Sequence, residues 1–485
     1  MSLRTDRFAQ DEPRHCFVDG QWLPSSATRT LPVIDPATGE RLATIPAGDA
    51  ADARRALDAA RKATSDWARV AAAQRAVFLK GAARRLRERL DDIATLQTRE
   101  GGKPIGDSRG GVEAGIGAIE QYAELGPLHR GRSLQGGWDA GDSMVFEPRG
   151  VVVIVTPWND PVAIAAQNIA AALVAGNTVV FKPSERTPLS GLALAEAFDD
   201  LPPGVLNVVL GDGELGRALV DDPRVDAVIH VGSTATGRRI AAACTRTGAK
   251  ALLENGGKDA MIVDAGVDPA WAARQAASGS FANAGQICTS VERIYVHADV
   301  AERFLTGLVA AARSLRVGPG LDPATTMGPL VDVRQRDAVH AHVSAAVAAG
   351  ARVLTGGEVP DGPGSFYPPT VLVDVTDDMA VMSEETFGPV AAVAVVSSYD
   401  EALTRAATSA YGLAATVLTA SQQHAQRAWR ELPVGTVKIN AVWGGAPGGA
   451  AQPRRGSGDG FGYGPELLDE LSRVKVVHYQ PCPPA

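Results

Sequence analysis

The sequence predicts an α/β fold: a doubly wound parallel sheet followed by a second α/β domain. Three observations lead there. Near-continuous apolar runs such as "RGVVVIVTP" (149–157) mark strands covered on both faces. Ala-rich stretches of helical period separate them, and strand–helix–strand repeated in this way implies a parallel sheet. At 485 residues the chain is too long for a single ordinary core.

Taken in order, a helical segment covers about 49–125 and is broken by "REGGKPIG" at 99–106. Strands are expected at 149–157, in "NTVVFKP" (177–183), in "VLNVVLG" (205–211) and in "DAVIHVGS" (226–233). Helices are expected between them, at 161–175 and 188–199. The pattern resumes after residue 290 with "RIYV" and a helix at 299–314. Further strands follow in "GPVAAVAVV" (388–396), "AATVLTA" (414–420) and "GTVKIN" (435–440). Residues 444–464 are glycine-rich and are expected to be loop, and "RVKVVHY" beyond them reads as an edge strand.

Composition removes several classes. A net charge of −8 argues against nucleic acid as the main partner, since phosphate binding needs a basic face, so no nucleic-acid partner is expected. The longest apolar stretch, "VAIAAQNIAAALVAG" (162–176), is too short to span a bilayer and carries Gln167 and Asn168, so no membrane partner is expected. "MSLRTDRFAQDEPRHCF" has no apolar core of a secretory signal. Four cysteines without disulfide or metal spacing suit a reducing compartment, so a cytoplasmic protein without a metal site is expected.

One of those cysteines, Cys288, lies in "NAGQICTS" (283–290), at what reads as the entrance of the strand "VERIYV". A lone cysteine is usually a small buried hydrophobe. Its companions argue for more. "TPWND" (156–160), "FKPSE" (181–185), "HVGSTATG" (230–237), "LLENGGK" (252–258), "GQICTS" (285–290) and "EETFGPV" (384–390) follow one another. In this order they resemble the aldehyde dehydrogenase superfamily, from "VDGQW" (18–22) and "IDPATGE" (34–40) to "GTVKIN". The resemblance implies NAD(P)-dependent oxidation of a small-molecule aldehyde to a carboxylic acid. It implies a Rossmann-like NAD-binding domain over 1–123 and 146–256 and a catalytic domain over 257–456. Oligomerisation segments would lie at 124–145 and 457–485. A bare edge strand is normally paired, so a homodimer or homotetramer is expected.

The residue types fit that chemistry. A thiolate adds readily to a carbonyl, and the thioester that follows is easily hydrolysed. Cys288 is the expected nucleophile, with a thiol pKa below its ordinary value. Asn159, on a turn set by Pro157 and Trp158, is expected to share the oxyanion with the backbone N–H of Cys288. By resemblance Glu254 is the base for hydrolysis, although Asn255 stands where the family usually has Leu. Relatives that pass the acyl group to coenzyme A often lack this glutamate, so water is the expected acceptor. Lys182 is counted with both the catalytic and the cofactor-binding residues.

"GDGELG" (211–216) matches G-x-G-x-x-G, yet the acid expected about 20 residues on is missing. The resemblance instead puts the pyrophosphate at Gly232 and Ser233, where "GSTATG" opens a helix. Gly213 is then a turn residue near the adenine. Lys182 and Glu185 are expected on the adenosine ribose and Glu385 on the nicotinamide ribose. Phe387 lies beside the nicotinamide or simply in the core, and Thr156, Trp158 and Ser184 complete the set. A carboxylate facing the 2′-hydroxyl favours NAD over NADP, which nearby lysines rescue in some related enzymes.

Asp160 stands where most relatives carry an aromatic residue, and Gln167 where they often show Trp or Arg. With Glu113 they suggest a polar tunnel for an amino- or hydroxyaldehyde, in which Asp160 meets a cation. Ile287, Thr289 and Trp443 are expected to line it. The competing account makes Asp160 the partner of an arginine, or the cap of a helix beginning at Pro161. Two further readings stand beside the hydrolytic enzyme: a coenzyme A-acylating aldehyde dehydrogenase, and a non-catalytic dinucleotide-binding protein on the same fold.

Overall fold

The structure is a computed structural model that describes residues 13–445 and 449–482. The first twelve residues of the stretch read for a secretory signal, and 446–448 of the glycine-rich segment, lie outside the described residues.

The larger sheet has eight strands. Its five central strands are parallel and run in spatial order Lys250–Glu254, Ala227–Val231, Val151–Val155, Thr178–Lys182 and Leu206–Val208. The chain therefore enters in the middle, winds outward through two strands and returns on the other side of Val151–Val155. That reversal is a topological switch point, where crossovers diverge and leave a crevice beyond the carboxyl ends of the strands. The middle strand is "VVVIV", with Val151 to Ile154 completely buried, as strands covered on both faces require. Helices Ala50–Arg69 and Pro161–Val174 both rest on Thr178–Lys182.

The second sheet has seven strands in the order Arg352–Thr355, Thr370–Val373, Val390–Val396, Val291–His297, Asp259–Val263, Ala414–Leu418 and Thr436–Ile439. All but the first are parallel to their neighbours. Each large sheet has its own cluster of buried apolar side chains, so the two parts of the molecule have separate cores. A third, antiparallel sheet joins Ser472–Tyr479, Gly141–Pro148 and Arg132–Leu134 and leaves Val474, Val476 and Tyr479 exposed.

Two expectations change. The helical segment is four helices, Ala50–Arg69, Ala72–Glu88, Leu90–Gly101 and Ile105–Leu125. The break at Gly102, in left-handed backbone with φ 83°, is the one the sequence marks, because glycine adopts that conformation without strain. The breaks at Val70 and Arg89 carry no turn residue and left no signal. The glycine-rich segment is not all loop. Gly458–Asp459 pairs antiparallel with Leu253 and Glu254 and forms one edge of the larger sheet.

Candidate active site

Cys288 lies in a turn at the entrance of the strand Val291–His297, three residues before it. Asn283, Ala284 and Gly285 all have positive φ, at 49°, 54° and 71°. Two non-glycine residues in this region cost about 1–2 kcal/mol each, so the surroundings must over-determine the turn. They do. The Asn283 amide donates to the Gln286 carbonyl at 3.2 Å and the Gln286 amide donates to the Asn283 carbonyl at 3.0 Å. Gln286 Oε1 also accepts the Val331 N–H, and Ser290 Oγ donates to the Gly285 carbonyl. Gly285 is required as such, because a Cβ there would lie 2.0 Å from the carbonyl oxygen of Gly388.

Asn159, four residues past the central strand, reaches the same turn. Its Nδ2 donates to the Gln286 carbonyl at 3.1 Å, two residues before the cysteine, and the side chain is buried. An amide nitrogen carries two hydrogens, so this bond leaves one for a ligand at Cys288.

Glu254 ends the strand Lys250–Glu254 and accepts the Gly462 N–H at 3.0 Å. A Cβ at Gly462 would lie 2.5 Å from Glu254 Oε1, so only glycine lets this loop close on the carboxylate. Burial pushes the Glu254 carboxyl up to about 7, against the opposing pull of that N–H. Asn255 is explained by the same loop. It is buried, it donates through Nδ2 to the Gly456 carbonyl, and its peptide N–H donates to that of Ser457.

Cys288 is half-buried, and the lowered thiol expected from the sequence is not what the structure shows. Burial first, then the carboxylates of Asp259, Glu254 and Glu385, push it up to about 12. The acids gathered around the sulfur oppose its ionisation in the resting protein.

A cleft of about 980 Å³ opens at the switch point and is lined by Thr156, Lys182, Ser184, Glu185, Gly213 and Thr236, among others. Lys182 is buried, with Nζ 3.6 Å from Glu185 Oε2, and burial lowers its pKa. Among the described residues its contacts are with the Pro183 carbonyl and Glu185, and none is with Cys288, Glu254 or Asn159. Ser184 Oγ accepts the Arg186 N–H. Ser233 caps the helix Thr234–Thr247, accepting from the Thr236 N–H, while Gly232 lies against the His230 ring with φ 156°. The buried Thr156 hydroxyl has no partner among the described residues, as expected of a group kept for a ligand. Polar walls, a helix N-terminus and a Lys–Glu pair suit a dinucleotide.

Trp158 meets the edge of Phe387 at 5.3 Å and the Arg186 guanidinium at 5.3 Å. Glu385 accepts the Gly257 N–H at 3.0 Å through one of its two carboxylate oxygens.

The residues expected in a tunnel divide. Gln167 donates to the Gly462 carbonyl at 3.1 Å, so it and Glu254 hold the two sides of one glycine. Asp160 stands at the N-cap of Pro161–Val174 but its side chain makes no capping bond; it lies 3.3 Å from Lys103 Nζ, so its charged partner is a lysine and not an arginine. Ile287 and Thr289 flank the cysteine and are half-buried. Glu113 is not brought to them: it is exposed, whereas Gly111 of the same helix packs against Asp160. Trp443 donates to Ser278 Oγ at 2.9 Å, with Lys438 Nζ 5.2 Å from its ring centre.

The profile of the aldehyde dehydrogenase family matches residues 22–477. The chain belongs to that family. Betaine aldehyde dehydrogenase of Cereibacter sphaeroides is 40% identical over 436 residues, covering 89% of this chain and 90% of that protein. Among solved structures, lactaldehyde dehydrogenase from Escherichia coli superposes with a TM-score of 0.95 at 34% identity, over 98% of this chain and all of that one. A betaine aldehyde dehydrogenase from Staphylococcus aureus, solved with NAD+, gives 0.94 at 31% identity over 97% and 98% of the two chains. The enzyme is thus an NAD(P)-dependent aldehyde dehydrogenase with the mixed α/β architecture of its family.

Sequence reasoning missed Lys258 and Glu292. Lys258 Nζ lies 2.6 Å from Glu292 Oε2, with 0% and 4% of the side chains exposed. An acid within the otherwise apolar strand "VERIYV" was the available signal, since a buried carboxylate demands a partner. Among the described residues no helix is long and apolar enough to cross a membrane.

Proposed function

We propose that Cys288 is the nucleophile, Asn159 the oxyanion donor and Glu254 the base of hydrolysis in the NAD-dependent oxidation of a polar aldehyde. The observation that carries this is the bond from Asn159 to the Gln286 carbonyl, which ties the end of the cofactor sheet's central strand to the nucleophile's turn.

The Cys288 thiol releases its proton to solvent as its sulfur adds to the aldehyde carbon, and the oxygen, now an alkoxide, accepts hydrogen bonds from the free hydrogen of the Asn159 amide and the backbone N–H of Cys288. Lys182, Glu185, Ser184, Thr156 and the helix opened by Gly232 and Ser233 would hold the dinucleotide, with Trp158, Glu385 and Phe387 at its nicotinamide end. When bound, the nicotinamide supplies the hydride acceptor of the oxidation. Glu254, titrating near neutrality, takes a proton from the water that attacks the Cys288 thioester, and the acid leaves. Glu185 beside Lys182 favours NAD over NADP.

Asp160 and Gln167 give the substrate end a polar character. An amino-bearing aldehyde fits them and agrees with the betaine aldehyde dehydrogenase relatives. Residues 1–123 and 146–256 would form the NAD-binding domain and 257–456 the catalytic one. The segments 124–145 and 457–485 would build the oligomer through the exposed edge of Ser472–Tyr479, as a homodimer or a homotetramer. Cysteines without disulfides among the described residues suit the cytoplasm.

The test is NADH formation from aldehydes without coenzyme A, in wild type and in Cys288→Ala. The variant is expected to bind NAD and to lose turnover. Turnover retained by the variant would overturn the assignment, and a strict need for coenzyme A would replace water as the acyl acceptor.

A further inference from the structure

We propose that Glu292, paired with Lys258, is a positioning residue that holds the wall of the nicotinamide site; the inference rests on the dehydrogenase reading above. Glu292 lies four residues after Cys288, and Lys258 four residues after Glu254. Their 2.6 Å contact therefore joins the nucleophile's segment to the base's segment. A fully buried ion pair is seldom more stabilising than apolar residues of the same volume, so stability alone does not account for it.

What the pair does besides is specific. Glu292 Oε2 accepts the Thr386 N–H at 2.8 Å and Oε1 accepts the Phe387 N–H at 2.9 Å. The Lys258 ammonium donates to Thr386 Oγ1 at 3.2 Å. Gln335 Nε2 grips the other side, donating to the carbonyls of Thr386 at 3.3 Å and Phe387 at 3.0 Å. Phe387 has φ 51°, a conformation its side chain disfavours, and both neighbouring peptides are held for it. The result is a fixed loop. Its Phe387 ring stands edge-on to Trp158, at 84°, and its Glu385 faces the Gly257 N–H.

One carboxylate thus sets the direction of Glu385 and Phe387, neither of which it touches through their side chains. Without the charge, one of the two N–H groups loses its acceptor and the left-handed residue is released. Glu385 and Phe387 then lose their aim at the nicotinamide half, while the adenosine half, held by the other sheet's loops, is untouched.

The test is Glu292→Gln in the full-length enzyme, titrated with NADH and separately with AMP, with no aldehyde present. NADH affinity is expected to fall about tenfold and AMP affinity to stay within twofold; in separate turnover assays kcat/KM for NAD should fall while KM for aldehyde stays unchanged. Equal affinities in variant and wild type, or equal losses for both ligands, would overturn the positioning role. Should that variant fail to fold, Lys258→Met with Glu292→Leu removes both charges and leaves the two N–H groups without their acceptors. The same split is expected of it, and unchanged NADH binding by the folded double variant overturns the proposal. A wild type that binds no NADH would sink the dehydrogenase reading as well; a wild type that binds it while neither variant differs sinks only this one.

Discussion

The carboxylate of Asp160 lies 3.3 Å from the ammonium of Lys103, and Lys103 is itself buried. Asp160 Oδ1 accepts no hydrogen bond among the described residues, so the pair is electrostatic and open to competition. A cationic end of a substrate reaching Asp160 must displace Lys103 or share the carboxylate with it. Lys103→Met should therefore raise kcat/KM for an ammonium-ended aldehyde roughly tenfold, the worth of one charge-assisted hydrogen bond. A methyl-ended aldehyde of equal length should be unaffected. An equal change for both, measured as NADH formation, would remove Asp160 from substrate recognition.

Glu254 gives a pH signature. Its carboxyl is pushed up to about 7 by burial, so the base is protonated and idle below that pH and active above it. Hydrolysis should rise with pH through about 7 and then level. Glu254→Gln should lower steady-state turnover by roughly 10²–10⁴, the usual worth of a general base, while leaving thioester formation in place. A rapid burst of one NADH per active site followed by a slow rate is the expected trace, and a variant without a burst would move Glu254 to an earlier step.

These residues were legible because each sits in a short motif whose chemistry is local. "GQICTS" needs its glycine for close approach to Gly388 and its glutamine to lock the turn, and both needs act within a few residues. The rest depended on distant backbone. Gly462 is 208 residues from Glu254, and the bond between them uses a peptide N–H that any residue carries. The pairing of Gly458–Asp459 with Leu253–Glu254 is likewise made by backbone alone, in a stretch whose glycines read as loop. Asp160 was legible as a polar intrusion, yet Lys103, in "REGGKPIG", offered nothing to pair them. The lowered thiol was expected because a nucleophile must ionise, but three acids, Glu254 and Asp259 from one stretch and Glu385 from another, act on this thiol.

That inversion can be measured. With the Cys288 thiol pushed up to about 12, its ionised fraction grows about tenfold per pH unit between pH 7 and 9. Iodoacetamide labelling of Cys288, read by peptide mass spectrometry, should follow that slope without a plateau. Glu254→Gln removes one of the nearby negative charges and should speed labelling at pH 8. Slower labelling in that variant would mean that Glu254 takes the thiol proton and that its charge is not what holds the thiol up.

Asn159 separates catalysis from structure. Its Nδ2 bond to the Gln286 carbonyl helps to hold the turn, and its second hydrogen is the one we propose for the oxyanion. Asn159→Ala deletes both. The structural share is one buried hydrogen bond of about 1 kcal/mol, visible as a small fall in Tm. The catalytic share is larger, because an oxyanion donor acts where charge develops, and its loss should lower kcat by roughly 10²–10³. Asn159→Asp tests the distinction. It keeps the shape but presents a carboxylate to both the Gln286 carbonyl and the alkoxide, and it adds a fourth acid near the sulfur. It should be slower than the alanine variant. An aspartate variant faster than alanine would show that Asn159 serves chiefly to fill space beside Gln286 and would return the oxyanion to the Cys288 N–H alone.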